Sequence, residues 1–204
     1  MPTSELRASV VVLAKDAQVA KTRLRLPRDA ARELALRLAA STVRAALAAE
    51  TVGTVLVVTG DADIAQDAIR AGAEIAAEPR PLGMNGAAAL GRRRALRARP
   101  EAPLAIIVAD LPWLQPTDID AAVDRFHTDS VPLFVADHEG TGTTFLIHGP
   151  EHWLGFGFGR SSAVMHQRLG YRRAEGVPWS LRCDLDTPED LVAHPPPNFV
   201  AAHL

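Results

Sequence analysis

The sequence predicts a single α/β domain whose mixed, mostly parallel sheet lies between helices. Short apolar runs alternate with longer segments in which leucine and alanine recur at helical spacing, up to about residue 126. The apolar runs are nearly continuous, as in strands that are covered on both faces. The length of 204 residues fits one domain, and no repeat or linker divides it. We expect this domain to span residues 8–194, followed by an extended C-terminal tail over 195–204.

Four apolar runs predict parallel strands in the first two thirds of the chain. They lie at about 9–14, 55–58, 73–77 and 104–108. Helices are predicted at about 29–49, 61–71, 85–99 and 117–126. Asp61 or Asp63 is expected to cap the second helix, and Thr117 or Asp118 the fourth. Residues 78–83 hold two prolines and a glycine, which predicts a loop.

The last third of the chain predicts a different arrangement. Strand-like runs at 133–135 and 143–147 flank a short polar loop, which favours an antiparallel pair. A helix is expected after Ser161, and a strand is expected to end at 181–184. Thr187 and Asp190 around Pro188 predict a capping box at the start of a final helix.

Composition excludes several classes of protein. The formal net charge of −2 leaves no electrostatic footprint for nucleic acid. The apolar runs are too short to span a membrane, and no signal peptide is visible. Cys183 is the one cysteine, so no internal disulfide is possible and a reducing compartment fits. We expect a cytoplasmic, soluble protein without nucleic-acid or membrane partners.

The two lysines of the chain, Lys15 and Lys21, both follow the first predicted strand, and Arg23 lies close behind them. The loop after a strand of a parallel α/β sheet lies at the carboxyl edge, where ligands bind. Every other basic residue is an arginine, so this position favours a compact, flexible ammonium group. The alternative interpretation is that both lysines are ordinary surface residues.

Aspartates are expected at the same edge of the sheet. Asp110 directly follows the strongest predicted strand, and Asp184 follows the late one, with Asp186 two positions on. Carboxylates delivered from two strand ends suit Mg²⁺, which completes its shell with water and phosphate. The alternatives are that Asp186 caps the final helix and that Asp110 is a turn residue before Pro112.

Two segments suit an anion. The Gly/Thr run 140–144 adjoins a strand and would let backbone N–H groups and hydroxyls approach an anion closely. Gly159 precedes the helix that starts at Ser161 and Ser162, and helix N-termini present unpaired N–H groups. His166 would lie one turn along that helix, near the same site. The two commonest nucleotide fingerprints are absent, so a nucleotide would be held by another arrangement.

Taken together, these segments resemble the CofC/FbiD family, the guanylyltransferases of coenzyme F420 biosynthesis. The segments that carry the resemblance lie at 14–15, 20–24, 82–85, 110–114, 140–143, 158–166 and 181–188. The resemblance covers about residues 10–191 and implies a GT-A-like (Rossmann-like) nucleotidyltransferase fold. It also implies transfer of GMP from GTP to a phosphorylated three-carbon acid, with release of pyrophosphate. The family's acceptor is 2-phospholactate, phosphoenolpyruvate or, in some members, 3-phosphoglycerate.

The resemblance further implies roles for individual residues. The expected ligands of Mg²⁺ are Asp110, Asp184 and Asp186. The acceptor acid would be bound by Thr143, Gly159 and Ser162. The catalytic cations facing the nucleotide phosphates would be Lys15, Lys21 and Arg23. Base and ribose would lie near Thr59, Glu78 and Asn85, with Lys21 also binding the nucleotide. A lactyl-transferring enzyme that takes up the product is the expected partner.

Chemistry agrees with these roles, because the attacking phosphate oxygen is already anionic and needs no activated serine or histidine. The obstacle is the repulsion between two phosphorylated molecules, which calls for cations and in-line positioning. The sequence departs from the family's pattern at Ala109, where glycine is usual, and at Asp16, which places a negative charge among the cations.

Three alternatives remain open at the level of sequence. The first is a nucleotidyltransferase with another acceptor, such as 3-phosphoglycerate, molybdopterin or a sugar phosphate, or with another base. The second is a glycosyltransferase, because Asp184 and Asp186 form a DxD pair. The third is a non-catalytic nucleotide-binding protein.

Overall fold

A computed structural model describes residues 6–17 and 24–195, and within this part of the chain a seven-stranded sheet is covered by helices. The strands are β1 (Ala8–Leu13), β2 (Val52–Thr59), β3 (Glu74–Ala77), β4 (Leu104–Val108), β5 (Leu133–Ala136), β6 (Thr143–His148) and β7 (Arg172–Arg173). The helices are α1 (Arg28–Ala48), α2 (Ala62–Ala71), α3 (Gly83–Ala98), α4 (Pro116–Asp129), α5 (Ser162–Arg168) and α6 (Pro188–Ala193). None of the helices in these ranges is long and apolar enough to cross a membrane.

The strand order is β3-β2-β1-β4-β6-β5-β7. Strands β1 to β4 pair in parallel, β6 runs antiparallel to both β4 and β5, and β7 is parallel to β5. The predicted mixed, mostly parallel sheet is thereby confirmed. The reversed direction of β6 matters for function, because it brings the start of this strand to the edge where the parallel strands end.

The core is centred on β1 and β4, whose residues are buried along both strands. Burying one valine or isoleucine side chain contributes about 1.5–3 kcal/mol, so these central strands anchor the sheet. Helix α3 lies unusually close to them at Gly91. A Cβ atom there would overlap Val11 and lie 3.1 Å from Cγ2 of Val58. The glycine therefore sets the distance between this helix and the sheet.

Some local predictions hold and others are wrong. Asp61 caps α2 as predicted, and Thr187 and Asp190 form the expected capping box on α6. The N-cap of α4 is Gln115 and not Thr117 or Asp118, because the Asp118 carboxylate accepts from the Gln115 amide as the third helical residue. Asp186 does not cap α6, since Thr187 does.

The strand predicted to end at 181–184 is wrong. A 3-10 turn at Trp179–Leu181 is followed by irregular backbone. Side chains hold this segment in place of a strand ladder: the Thr144 hydroxyl donates to the Leu181 carbonyl at 2.7 Å, and the Arg182 guanidinium donates to the Asp137 carbonyl at 2.9 Å. The segment still reaches the expected edge of the sheet. Beyond Pro195 the predicted tail lies outside the described residues, and the domain limits stay a prediction.

Candidate active site at the carboxyl edge of the sheet

Strand direction brings the predicted site residues to one edge of the sheet. Lys15 follows β1 and is exposed, Thr59 ends β2, and Glu78 follows β3. Asp110 comes two residues after β4. Because Ile107 pairs with Phe145 in the antiparallel register, Thr143 at the start of β6 reaches the level at which β4 ends. Lys21 and Arg23 lie outside the described residues, so their roles stay predictions.

Asp184 belongs to a cluster of carboxylates with Asp110, Asp186 and Asp137. The Leu185 amide donates to the Asp110 carbonyl at 3.2 Å, which places Asp184 beside the end of β4. Burial raises the pKa of Asp184 to about 8, with further contributions from the negative charges of Asp110, Asp186 and Asp137. Like charges that approach so closely in a half-buried place oppose ionisation of one another. This cluster therefore favours a bound cation.

The donor set suits Mg²⁺. Within the described residues, no group of three or more histidine, cysteine or acidic side chains forms a ready-made metal cage. Mg²⁺ does not need such a cage, because it is commonly held by one or two carboxylates together with water and substrate phosphates. The mutual repulsion of Asp110 and Asp184 is the feature that a divalent cation would relieve.

His138 also lies against this carboxylate cluster, although no sequence motif indicated a role for it. Its Nδ1 lies 3.6 Å from Oδ1 of Asp184, and its Nε2 lies 3.4 Å from Oδ1 of Asp190. The imidazole thus links the cluster to the capping box of α6. In the sequence, its place two residues after β5 is the signal that could have drawn attention to it.

Asp137 organises the loop between β5 and β6. Its carboxylate accepts from the amides of Thr141, at 2.9 Å, and Gly142, at 2.7 Å. A Cβ atom at position 142 would overlap this carboxylate, which explains the glycine. These two amides are therefore engaged by Asp137, and the expected binding of an anion by residues 140–144 stays a prediction. The Thr143 hydroxyl, at the start of β6, follows this loop.

The predicted acceptor residues lie together. Thr143 and Ser162 are buried, and Gly159 adopts a φ of 127°, which favours glycine. The Ser162 amide donates to the Gly159 carbonyl, and the Ala163 amide donates to the Thr141 carbonyl, both at 3.1 Å. These bonds join the two segments, but they also occupy the first amides of α5. The first amides of α5 thus have partners within the chain, and the binding of an acceptor by Thr143, Gly159 and Ser162 stays a prediction.

Asn85 and His166 hold the segment that precedes Gly159. The Asn85 amide donates to the Phe158 carbonyl at 3.1 Å and accepts from the Phe158 amide at 2.7 Å. His166 accepts from the Gly157 amide at 3.0 Å and lies 2.9 Å from the Thr143 hydroxyl. Asn85 is thus committed to this segment, and its contact with a nucleotide stays a prediction.

Asp61 supports the opposite end of the site. Its carboxylate accepts from the Ala17 amide at 3.1 Å and from Arg32 at 3.2 Å, besides capping α2. Burial opposes ionisation, yet hydrogen bonds from the amides of Ile64 and Ala17 and from Arg32 leave the pKa of Asp61 below its usual value. One carboxylate thereby ties the segment after β1, which carries Lys15, to two helices. Capping was the only role that the sequence indicated for it.

Thr59 and Glu78 lie side by side on the β2–β3 part of the edge. The Glu78 amide donates to the Thr59 carbonyl at 2.9 Å, and the Glu78 carboxylate accepts from the Leu82 amide at 3.1 Å. The Thr59 hydroxyl accepts from the Asp61 amide at 3.1 Å. Their predicted contacts with base and ribose stay predictions.

Comparison with known proteins agrees with this geometry. The MobA-like NTP transferase domain matches residues 9–175. The phosphoenolpyruvate guanylyltransferase of Thermomonospora curvata is 38% identical over 193 residues, which cover 93% of this chain and 84% of that protein. The enzyme of that name from Salinispora arenicola is 39% identical over 186 residues, or 90% of this chain and 85% of that protein. The enzyme of that name from Mycolicibacterium vanbaalenii is 34% identical over 202 residues, which cover 95% of this chain and 92% of that protein.

Solved structures show the same architecture. A protein described as a nucleotide-diphospho-sugar transferase from Desulfovibrio desulfuricans superimposes with a TM-score of 0.67 at 14% identity, over 91% of this chain and 84% of that one. A 4-diphosphocytidyl-2C-methyl-D-erythritol synthase does so with a TM-score of 0.56 at 10% identity, over 92% and 96%. At such identities the likeness shows the fold alone, and it confirms the expected GT-A-like architecture. The chain is a nucleotidyltransferase that belongs to the MobA-like NTP transferase family and, within it, to the family of the phosphoenolpyruvate guanylyltransferases.

Proposed function

We propose that this enzyme transfers GMP from GTP to phosphoenolpyruvate or 2-phospho-L-lactate, with release of pyrophosphate, as a step of coenzyme F420 biosynthesis. The observation that carries the proposal is the carboxylate cluster around Asp184, at the edge of the sheet where β4 ends and where β6 begins with the buried Thr143. The cluster suits a metal-bound nucleotide, and the hydroxyls of Thr143 and Ser162 suit a small anion. The names of the relatives support guanylyl transfer to phosphoenolpyruvate.

The residues of the site match the demands of the reaction. An acceptor phosphate is already a nucleophile, so the enzyme has to overcome charge repulsion and to align the reactants. Asp110 and Asp184 would hold Mg²⁺, with Asp186 adding negative charge beside them. When bound, this ion would neutralise the nucleotide phosphates. Lys15, at the end of β1, contributes a positive charge at the same edge, and Lys21 and Arg23 follow it in the chain.

The acceptor is held by different chemistry. The hydroxyls of Thr143 and Ser162 donate to its anionic groups, and Gly159 lets the backbone turn close to it. These residues are separate from the carboxylates, so acceptor binding and metal binding are expected to respond to different substitutions. The product would pass to a lactyl-transferring enzyme, and we place the reaction in the cytoplasm.

The test is a matrix of substrates. The purified protein is incubated with Mg²⁺, each of the four nucleoside triphosphates and each candidate acid, including 3-phosphoglycerate and a sugar phosphate. Pyrophosphate release is followed, and the product is identified by mass spectrometry. We expect turnover with GTP and phosphoenolpyruvate or 2-phospho-L-lactate. Release of pyrophosphate only with another base or another acceptor would refute the proposal.

A matched pair of variants tests the metal ligands. Asp110→Asn removes a carboxylate from the cluster, whereas Asp124→Asn removes one from the exposed face of α4. Loss of turnover by at least about a hundredfold is expected in the first variant, since the charges of the substrates would no longer be neutralised. The second variant should keep normal activity. Equal activity of the two variants would remove Asp110 from the site.

A further inference from the structure

His166 is a fully buried histidine that lies between the two segments of the acceptor seat. Its Nδ1 is 2.9 Å from the Thr143 hydroxyl, and its Nε2 is 3.0 Å from the Gly157 amide. Its ring also packs edge-on against Phe158 and Tyr171, with centroids 4.9 Å and 5.6 Å away. A single side chain of helix α5 thus contacts strand β6 and the glycine-rich segment that precedes the helix.

The hydrogen bonds define the tautomer of this ring. A backbone amide only donates, so Nε2 has to be the unprotonated nitrogen that accepts from Gly157. A neutral imidazole then carries its proton on Nδ1, which faces the Thr143 hydroxyl and the Ser162 carbonyl. Burial lowers the pKa of His166 to about 4, which keeps the ring neutral at physiological pH.

This tautomer also sets the direction of the Thr143 hydroxyl. The oxygen of Thr143 accepts from Nδ1 of His166, so the hydroxyl hydrogen points to another group. Thr143 begins β6 at the carboxyl edge, where the acceptor is expected to bind. The hydroxyl is therefore prepared to donate to an anion.

The same ring fixes the glycine-rich segment. Its amides at 157 and 158 donate to His166 and to Asn85 respectively. The backbone at Gly157 packs so tightly on α5 that a Cβ atom there would lie 2.8 Å from Cβ of Met165. Gly159 directly follows this anchored pair, so its position relative to Thr143 depends on the histidine.

We propose that His166 is a positioning residue for the acceptor: through Nδ1 it makes the Thr143 hydroxyl a donor to the acceptor anion, and through Nε2 it holds the segment that ends at Gly159. This inference rests on the proposed function. It adds His166 to the acceptor site as a residue that acts through its neighbours and touches no substrate itself. The inference places His166 on the acceptor side of the site. Asp61 and the segment after β1 support the nucleotide side.

The matched substitutions His166→Gln and His166→Asn separate the two bonds. Glutamine reaches the position of Nε2 and keeps an acceptor for Gly157, but it lacks the donor to Thr143. Asparagine places an N–H near the position of Nδ1 and keeps that donor, but it loses the acceptor. We expect H166Q to raise the KM of the acceptor about tenfold, since a buried hydrogen bond is lost, and to leave the KM of GTP within about twofold. H166N should raise the KM of the acceptor less than H166Q does.

Thr143→Val provides the coupling test. This variant keeps the shape of the side chain and removes the hydroxyl, so it should raise the KM of the acceptor by a factor similar to that of H166Q. In the T143V background, H166Q should add less than about twofold, because both changes remove one interaction. T143V also keeps the proposal testable if H166Q does not fold, since an unchanged KM of the acceptor in T143V would overturn it.

The outcomes are distinct from those of the substrate test. If H166Q raises the KM of GTP and of the acceptor equally, or if its effect simply multiplies that of T143V, His166 only supports the fold and the inference is overturned. If the wild-type enzyme takes another phosphorylated acceptor, the proposed function fails, and the same KM comparison is made with that acceptor. The role of His166 then stands or falls independently.

Discussion

Asp184→Asn should inactivate this enzyme and make its metal-free form more stable. The pKa of Asp184 is raised from its usual 3.8 to about 8, mainly by burial and then by the charge of Asp110. A shift of this size corresponds to at most about 5–6 kcal/mol of lost stability once the carboxyl group is ionised. Because water screens the charge of a side chain that is 20% exposed, we expect Asn to recover about 2–4 kcal/mol.

The sign of the effect depends on pH. A carboxyl group whose pKa is higher in the folded state than in the unfolded state lowers stability as pH rises, because the unfolded chain loses its proton first. The difference in unfolding temperature between D184N and the wild-type protein should therefore be smallest at pH 5, because pH 5 is only about one unit above the usual pKa of 3.8. The stability of the variant relative to the wild-type protein should increase as pH rises towards 8.5. For a chain of this size, 2–4 kcal/mol corresponds to a rise in Tm of about 4–16 °C.

The assay is thermal unfolding in EDTA between pH 5 and pH 8.5, with Asp124→Asn as the surface control. Added Mg²⁺ should stabilise the wild-type protein and shrink the difference, because a ligand that binds only the folded state stabilises it. A Tm difference that does not change with pH would refute the electrostatic reasoning. A variant that is less stable at pH 8.5 would show that Asp184 makes favourable bonds that outweigh the repulsion.

Three further predictions concern packing, the acceptor loop and acid stability. Gly91→Ala should cost about 1–3 kcal/mol of unfolding free energy, because its methyl group overlaps Val11; a Tm unchanged within 1–2 °C (about 0.5 kcal/mol) would show that α3 moves freely on the sheet. Gly142→Ala should raise the KM of the acceptor several-fold and spare that of GTP, since the methyl group displaces the Asp137 carboxylate that holds the loop before Thr143; equal changes in both would contradict this. Burial lowers the pKa of His166, so the free energy of unfolding should fall by up to about 3 kcal/mol as pH falls from 6.5 to 4. Urea unfolding of H166Q should show no such dependence of the unfolding free energy on pH.

The repulsion around Asp184 and the bonds around His166 show two ways of preparing a site. Carboxylates that are held together destabilise the empty protein, and a cation offsets this cost when it binds. The neutral histidine instead stabilises the protein without ligand, because its two bonds join segments that are 23 and 9 residues away in the chain. The metal side is therefore expected to be strained without ligand, and the acceptor side is already ordered.

Elements with a strong local signal were predicted well. The run Leu104–Val108 has the limits that the apolar pattern indicates, and the capping box of α6 forms between the expected residues. The run at 181–184 was wrong, because an apolar leucine and cysteine next to an aspartate resemble a strand end whether or not a partner strand is available. It is held by single hydrogen bonds to Thr144, Ala136 and Asp137, and the Leu185 amide next to it donates to Asp110; these bonds leave no periodic pattern.

By itself, the sequence determined the alternation of strands and helices and the family. Apolar periodicity and capping act over a few residues, and family motifs stand in linear order, so both are visible in one dimension. Only the tertiary structure decided that Asp137 binds the Thr141 and Gly142 amides, that Asn85 holds Phe158 across 73 residues and that Asp61 holds Ala17 across 44. These bonds depend on which loops the sheet order brings together. The reversal of β6 is what brings Thr143, with its contact to His166, to the edge where β4 ends.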